Sequence, residues 1–197
     1  MLAYLQFAKS YYVREGVPTR EIENIKQAVR PLVELYGQGT ADQFGPLALK
    51  AVRSVMIERG WCRSLVNARV NLIRRVIKWG VENELVTPSV LHGLQAVSGL
   101  KRGRCGVRET QPVKPVDDAV VAATCAVAPR SIAAMIQLQR LTGMRPGEVV
   151  IMRTRDIDRS ERIWQYVPST HKTQHHGRNR IVYLGPAAQR LLKPFLK

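Results

Sequence analysis

The sequence is short of acidic residues: its 197 positions hold 15 Asp and Glu against 31 Lys and Arg. A net charge of +16 and a pI near 10.5 point to a polyanionic partner, nucleic acid first and an anionic membrane surface second. No apolar run is long enough to span a bilayer, and the amino terminus has no signal-peptide pattern. No membrane association is therefore expected, and a cytoplasmic, nucleoid-associated location is. Three cysteines, Cys62, Cys105 and Cys125, are scattered and odd in number. That excludes a disulfide framework or a zinc-ligand spacing and reads as thiols in a reducing compartment. Aromatic residues make up only 6%, and no stacking platform is evident, which disfavours an RNA-binding helical protein. No internal repeat occurs. What is present is 45% hydrophobic residue, enough for a globular chain of one large or two small domains.

The front half reads as helices. Residues 1–14 form a short one, broken at Gly16-Val17-Pro18, with Thr19 as a plausible N-cap for the next. That next helix carries Ile22, Ile25, Val29, Leu32, Val33 and Tyr36 and ends at Gly37, with Pro31 expected to kink or divide it. A third runs from Pro46 to Gly60. The fourth, from about Ser64 to Glu84, is the most informative. Val66, Val70, Ile73, Ile77, Val81 and Leu85 make its buried stripe. Its opposite face carries Asn67, Asn71, Arg74 and Lys78, with Arg63 one turn earlier and no acid among them. A solvated face usually mixes both signs, so this one is expected to contact DNA. Asparagine can read adenine edges and arginine guanine edges.

A short helix from Pro88 through Val97 closes a first domain over residues 1–97. Residues 98–114 hold Lys101, Arg102, Arg104, Arg108 and Lys114 against Glu109 alone, and read as a basic linker that tracks phosphates. A second domain spans 115–197. The three segments carry net charges of +5, +4 and +7, so all three are expected to share the contact. In the second domain, Asp117 or Asp118 caps a helix through Val127, and Pro129 opens another. Residues Asp156 to Ser160 read as a turn, Ile163–Val167 and Arg180–Leu184 as paired strands, and Gly185-Pro186 as the start of a last helix with Leu191, Leu192 and Phe195. The fold class is mainly α with a small β-hairpin or sheet.

Within this second domain, Leu141 to Val150 form a sharp junction. Gly143 lies where a helix C-terminus favours glycine, Pro146 suits the first position of a new helix, and Glu148 sits in its first turn. Arg145 stands between the two helices, and its planar five-donor fork is suited to clamping a phosphate.

Thr142-Gly143-Met144-Arg145-Pro146-Gly147-Glu148 resembles the first-arginine motif of the tyrosine recombinases, the phage-integrase family. His171-Lys172-Thr173 resembles the family's lysine-bearing β-hairpin, and the order of parts matches over nearly the whole chain. The resemblance implies a helical, SAM-like core-binding domain followed by part of an α+β catalytic domain. It implies double-stranded DNA as partner, assembly of intact relatives as a tetramer on DNA, and chemistry without cofactor. In that chemistry a tyrosine attacks a phosphodiester, arginines neutralise the charge growing on the phosphoryl oxygens, and the hairpin lysine protonates the leaving 5′ oxygen. Arg145 matches the first arginine, Lys172 the hairpin lysine, and Glu148 a supporting acidic position.

The family's later His-x-x-Arg motif and its nucleophilic tyrosine are expected to be missing, since the sequence stops 25 residues past Lys172. His175, His176 and Arg178 have the His-x-x-Arg spacing but lie in the hairpin itself, and read as a basic DNA-facing loop. His171, His175 and His176 lack an acid or cysteine to complete a metal set, so no metal is expected. The expected function is a site-specific recombinase or integrase, incomplete in this chain and unable to cut DNA alone. The alternative is a non-catalytic remnant or regulator that occupies recombination sites.

Overall fold

The computed structural model describes residues 1–14, 16–104, 106–169 and 180–196. Lys172, His175, His176 and Arg178 lie outside the described residues. The chain is mostly helical with two small antiparallel sheets, and it divides into two compact units, Met1–Pro112 and Val113–Lys197.

The first unit contains α1 (Leu2–Tyr11), a two-residue pairing of β1 (Val13–Arg14) with β2 (Val17–Pro18), α2 (Glu21–Tyr36), α3 (Pro46–Glu58), α4 (Arg63–Glu82) and α5 (Pro88–Gln95). Its centre is α4, which is buried on two sides. Val66, Val70, Ile73 and Ile77 pack with Leu49, Val52 and Met56 of α3 and Leu94 of α5. Leu72 and Val76 face a second core with Tyr4, Ala8, Ile25 and Val29. Trp79 joins that core, with ring centroids 5.4 Å from Tyr4 and 5.2 Å from Phe7. Two cores on one 20-residue helix make it the unit's keystone, because each fully buried aliphatic side chain contributes about 1.5–3 kcal/mol.

Several details differ from the sequence reading. The second apolar side of α4 lies beside the first on the helix surface, and Arg69 falls between them, so a single-stripe pattern does not show it. Leu85 is exposed: α4 stops at Glu82, Glu84 takes φ 56° and the Leu85 N–H turns back to the Gly80 carbonyl at 2.8 Å. Arg20, not Thr19, is the N-cap residue of α2. Pro31 neither divides nor ends α2; it is wholly buried, so packing holds the helix across the one hydrogen bond that proline forfeits.

Residues beyond α5 fold back on this unit. Leu100 and Val107 are buried in the larger core. Lys101 to Arg104 form a tight turn, with the Arg104 N–H donating to the Lys101 carbonyl at 3.2 Å and Gly103 at φ 70°, a conformation that glycine adopts at no steric cost.

The second unit runs through α6 (Asp118–Val127), α7 (Arg130–Thr142), α8 (Pro146–Val150), β3 (Ile157–Asp158), β4 (Trp164–Tyr166), β5 (Val182–Leu184) and α9 (Pro186–Leu192). The strands form one antiparallel sheet in the order β3-β4-β5, with Tyr166 opposite both Ile157 and Val182. The pairing of β4 with β5 matches the expected hairpin, whereas β3 occupies a stretch read as a turn. Tyr166 is wholly buried at the centre of a core with Leu138, Val149, Leu184 and Leu192. Phe195 stays 39% exposed, beside the Arg130 guanidinium at 5.4 Å. No residue of α6 is buried.

Candidate nucleic-acid interface

The junction between α7 and α8 is built by three local devices. Gly143 ends α7 in the left-handed conformation, φ 65°, with its N–H on the Gln139 carbonyl at 2.8 Å. Thr142 Oγ1 donates to the Leu138 carbonyl at 2.7 Å and accepts the Met144 N–H at 3.3 Å. Met144 is buried and anchors the turn from beneath. Arg145 then takes an extended conformation as the N-cap residue of α8, and Pro146 starts the helix.

Glu148, in the first turn of α8, organises the surrounding cations. It is 3% exposed, and no other charged residue among those described is buried to that degree. One carboxylate oxygen accepts the Arg145 main-chain N–H at 2.9 Å, and the other accepts Arg145 Nη1 at 2.9 Å. Arg180, just before β5, approaches the same carboxylate through Nε and Nη2, each at 3.3 Å. The Tyr166 hydroxyl donates to the Glu148 main-chain carbonyl at 2.6 Å. Burial alone pushes the Glu148 carboxyl upward. Hydrogen bonds from the Arg145 main chain and from both guanidinium groups outweigh it and hold the group below the usual range. Burial, with the charges of Asp156 and Glu148 adding to it, pushes the Tyr166 hydroxyl up to about 12, so it is held as a donor.

Two guanidinium groups therefore converge on one buried, ionised carboxylate. The Arg145 side chain remains 48% exposed, and its bond to Glu148 occupies one of five N–H groups. The rest of a pre-aimed fork is available to an anion, the arrangement needed to bind and polarise a phosphoryl group. Arg180 was not singled out in the sequence. It opens a strand-prone run, and its partner lies 32 positions away, so nothing local marks it. Tyr183, on β5, is 62% exposed on the sheet surface.

On α4 the row of polar residues is divided between two tasks. Asn67 accepts the Leu100 N–H at 2.9 Å and donates to the Leu100 carbonyl at 3.0 Å. Arg74 donates through Nε to the Leu94 carbonyl at 3.0 Å, through Nη2 to that of Val97, and through Nη1 to Asn71 Oδ1 at 3.1 Å. Arg63 pairs with Glu109 at 2.6 Å, and its N–H meets the Arg108 carbonyl. These groups strap residues 94–109 to α4. Lys78 remains 63% exposed in an i,i+4 pair with Glu82 at 3.4 Å, and Asn71, Lys101, Arg102 and Arg104 are exposed. The face that reads in sequence as a row of unengaged donors is in part an anchoring surface for the chain's own backbone. Arg75, which the sequence pattern passed over, pairs with Glu21 of α2.

Among the described residues, no helix is long and apolar enough to cross a membrane, and no three His, Cys, Asp or Glu side chains gather as a metal site.

No family model matches the chain, and no curated protein matches it. Solved structures do. A lambda integrase dimer bound to a COC′ core site aligns with a TM-score of 0.69 at 12% identity, covering 98% of this chain and 65% of that one. The Tn1549 transposon integrase in complex with a circular intermediate DNA aligns with a TM-score of 0.62 at 11% identity, covering 96% and 63%. The chain thus spans just under two thirds of the length of these structures.

Proposed function

We propose, for a chain that has the fold of the tyrosine recombinases, that it binds double-stranded DNA and sets Arg145 against a backbone phosphate. The observation that carries this reading is the buried Glu148 carboxylate, which fixes Arg145 from its main chain and its guanidinium at once. Such fixing matters because a pre-aimed cation stabilises phosphoryl charge without reorganising. Glu148 acts as the positioning group, and Lys172 is the candidate general acid to the leaving oxygen. Lys101, Arg102, Arg104, His175, His176 and Arg178 are assigned to phosphate contact. On α4, Asn71 and Lys78 face the duplex, while Arg63, Asn67 and Arg74 support that surface through the segment they hold. The helical unit over residues 1–97 is the core-binding domain, 98–114 the basic connection, and 115–197 the amino-terminal part of a catalytic domain.

Neither of the second unit's described tyrosines, Tyr166 and Tyr183, is assigned the nucleophile's role beside Arg145. Tyr166 is wholly buried and donates to the Glu148 carbonyl, and Tyr183 lies on the outer face of β5. Taken alone, residues 1–197 are assigned to DNA binding without strand cleavage, with occupancy of a recombination site as a regulator as the alternative reading.

The test is incubation of the chain with labelled nicked duplexes, followed by native and denaturing gels. Binding on the native gel that falls steeply with salt, weakens in Arg145→Ala and leaves no denaturation-resistant adduct is expected. An adduct mapped to Tyr166 or Tyr183 would overturn the non-cleaving assignment. Absent or salt-independent binding would overturn the DNA reading itself.

A further inference from the structure

A cleft of about 490 Å³ lies between the start of α3 and the strapped segment after α5, within the range of ligand-binding clefts. Its lining includes Lys50, Arg53, Ser98, Gly99, Lys101 and Arg104, and no acidic residue. Elsewhere in the unit several cations have carboxylate partners: Arg59 has Glu34, Arg63 has Glu109, Arg75 has Glu21 and Lys78 has Glu82. The cleft gathers four cations with no carboxylate in its lining.

The four cations differ in role. Arg53 Nη1 donates to the Ser98 carbonyl at 2.9 Å and so fixes the wall opposite α3. A carbonyl acceptor carries no net charge, and the guanidinium keeps its full positive field. Arg74 stands on the same strap, held to the Leu94 and Val97 carbonyls. Burial, and then the nearby Arg53 charge, lowers the Arg74 pKa: two like charges are held close together with no counter-ion between them. Lys50, one turn before Arg53 and exposed, and Lys101 and Arg104, exposed across the tight turn, are free to close on an anion.

We infer that this cleft is a preformed seat for one backbone phosphodiester of duplex DNA, contacted by Lys50, Lys101 and Arg104 and held in shape by Arg53. The inference rests on the DNA-binding reading above and adds a contact surface on α3, which that reading does not use. The seat reads phosphate and not base, so it contributes register on the duplex and salt-dependent affinity without sequence preference.

Anisotropy titrations of a labelled mixed-sequence duplex across salt test it, using the full chain, Lys50→Gln/Lys101→Gln, and Lys9→Gln/Lys26→Gln as a control of equal charge loss. The cleft variant is expected to melt like the parent, since both side chains are exposed. It should lower the slope of log affinity against log salt by roughly 1, because the seat neutralises one phosphate; the control should leave the slope nearly unchanged. Arg53→Met should shift the slope in the same direction, and Arg53→Lys should restore it. A parent that binds with a steep slope while the cleft variant keeps that slope, or while the control loses as much, overturns the seat and leaves DNA binding intact. A parent that fails to bind, or binds independently of salt, overturns both.

Discussion

In Met1–Pro112, Arg53, Arg69, Arg74 and Arg108 donate to the main-chain carbonyls of Ser98, Asn24, Leu94 with Val97, and Gly60. In Val113–Lys197, Arg145 and Arg180 instead converge on a single buried carboxylate. Both arrangements immobilise guanidinium groups, but the electrostatic results are opposite. A carbonyl acceptor orients a cation and leaves its charge whole, so these four arginines brace the first unit without giving up positive charge, although others there pair with carboxylates. A carboxylate cancels part of the charge and fixes geometry in return, so the second unit yields one well-aimed fork. A broad field serves to gather a polyanion, whereas an aimed fork serves to act at one phosphate.

The contrast is broken most severely at Glu148. Glu148→Ala leaves the Arg145 N–H and two guanidinium groups without their acceptor and should destabilise the second unit by about 2–3 kcal/mol, discounted because both arginines are partly exposed. Hydrogen exchange resolved by unit under increasing urea checks it; protection lost equally in both units would refute the assignment. The same carboxylate sets an acid limb. Its folded-state pKa is depressed, so its contribution is complete above the ordinary glutamate value of about 4.3 and is lost as pH falls through the lower folded value. In Glu148→Gln that share of the pH dependence should vanish.

Arg74→Met comes next. It takes the donor from two carbonyls that end α5 and should cost the first unit about 1–2 kcal/mol, read from urea unfolding of the purified variant. A cost near zero would return Arg74 to the DNA-contacting face that its sequence position suggests. Lys78→Ala is the smallest: a stability change within about 0.5 kcal/mol with a measurable loss of duplex affinity in anisotropy. A large stability loss with affinity unchanged would remove Lys78 from the interface.

The helices were legible because their signals are local. Pro46, Pro88, Pro146 and Pro186 each open a helix, and Gly143 closes one in the conformation that favours glycine. Arg145 and Glu148 were legible for the same reason, three residues apart in one turn. Arg180 was not, because its pairing with Glu148 exists only after β5 has returned alongside β4. The engagement of Asn67 and Arg74 was also hidden: helical spacing shows that side chains share a face but not what that face meets. Their acceptors lie between 20 and 33 positions downstream, from the last turn of α5 to Leu100 beyond it. Strand β3, two residues long, is below the length at which alternation carries information.

Asn67 pairs with both main-chain groups of Leu100 as a neighbouring strand would, and this sets an unusual rule of substitution on α4. Aspartate keeps the acceptor, loses the donor and places a charge against a carbonyl. Glutamine has both groups on a side chain one methylene longer. Alanine, the best helix former, leaves both groups of Leu100 unmet. In a library selected only for folding, this half-exposed helical position should therefore tolerate fewer exchanges than Ile73 in the core, where another aliphatic of similar volume suffices.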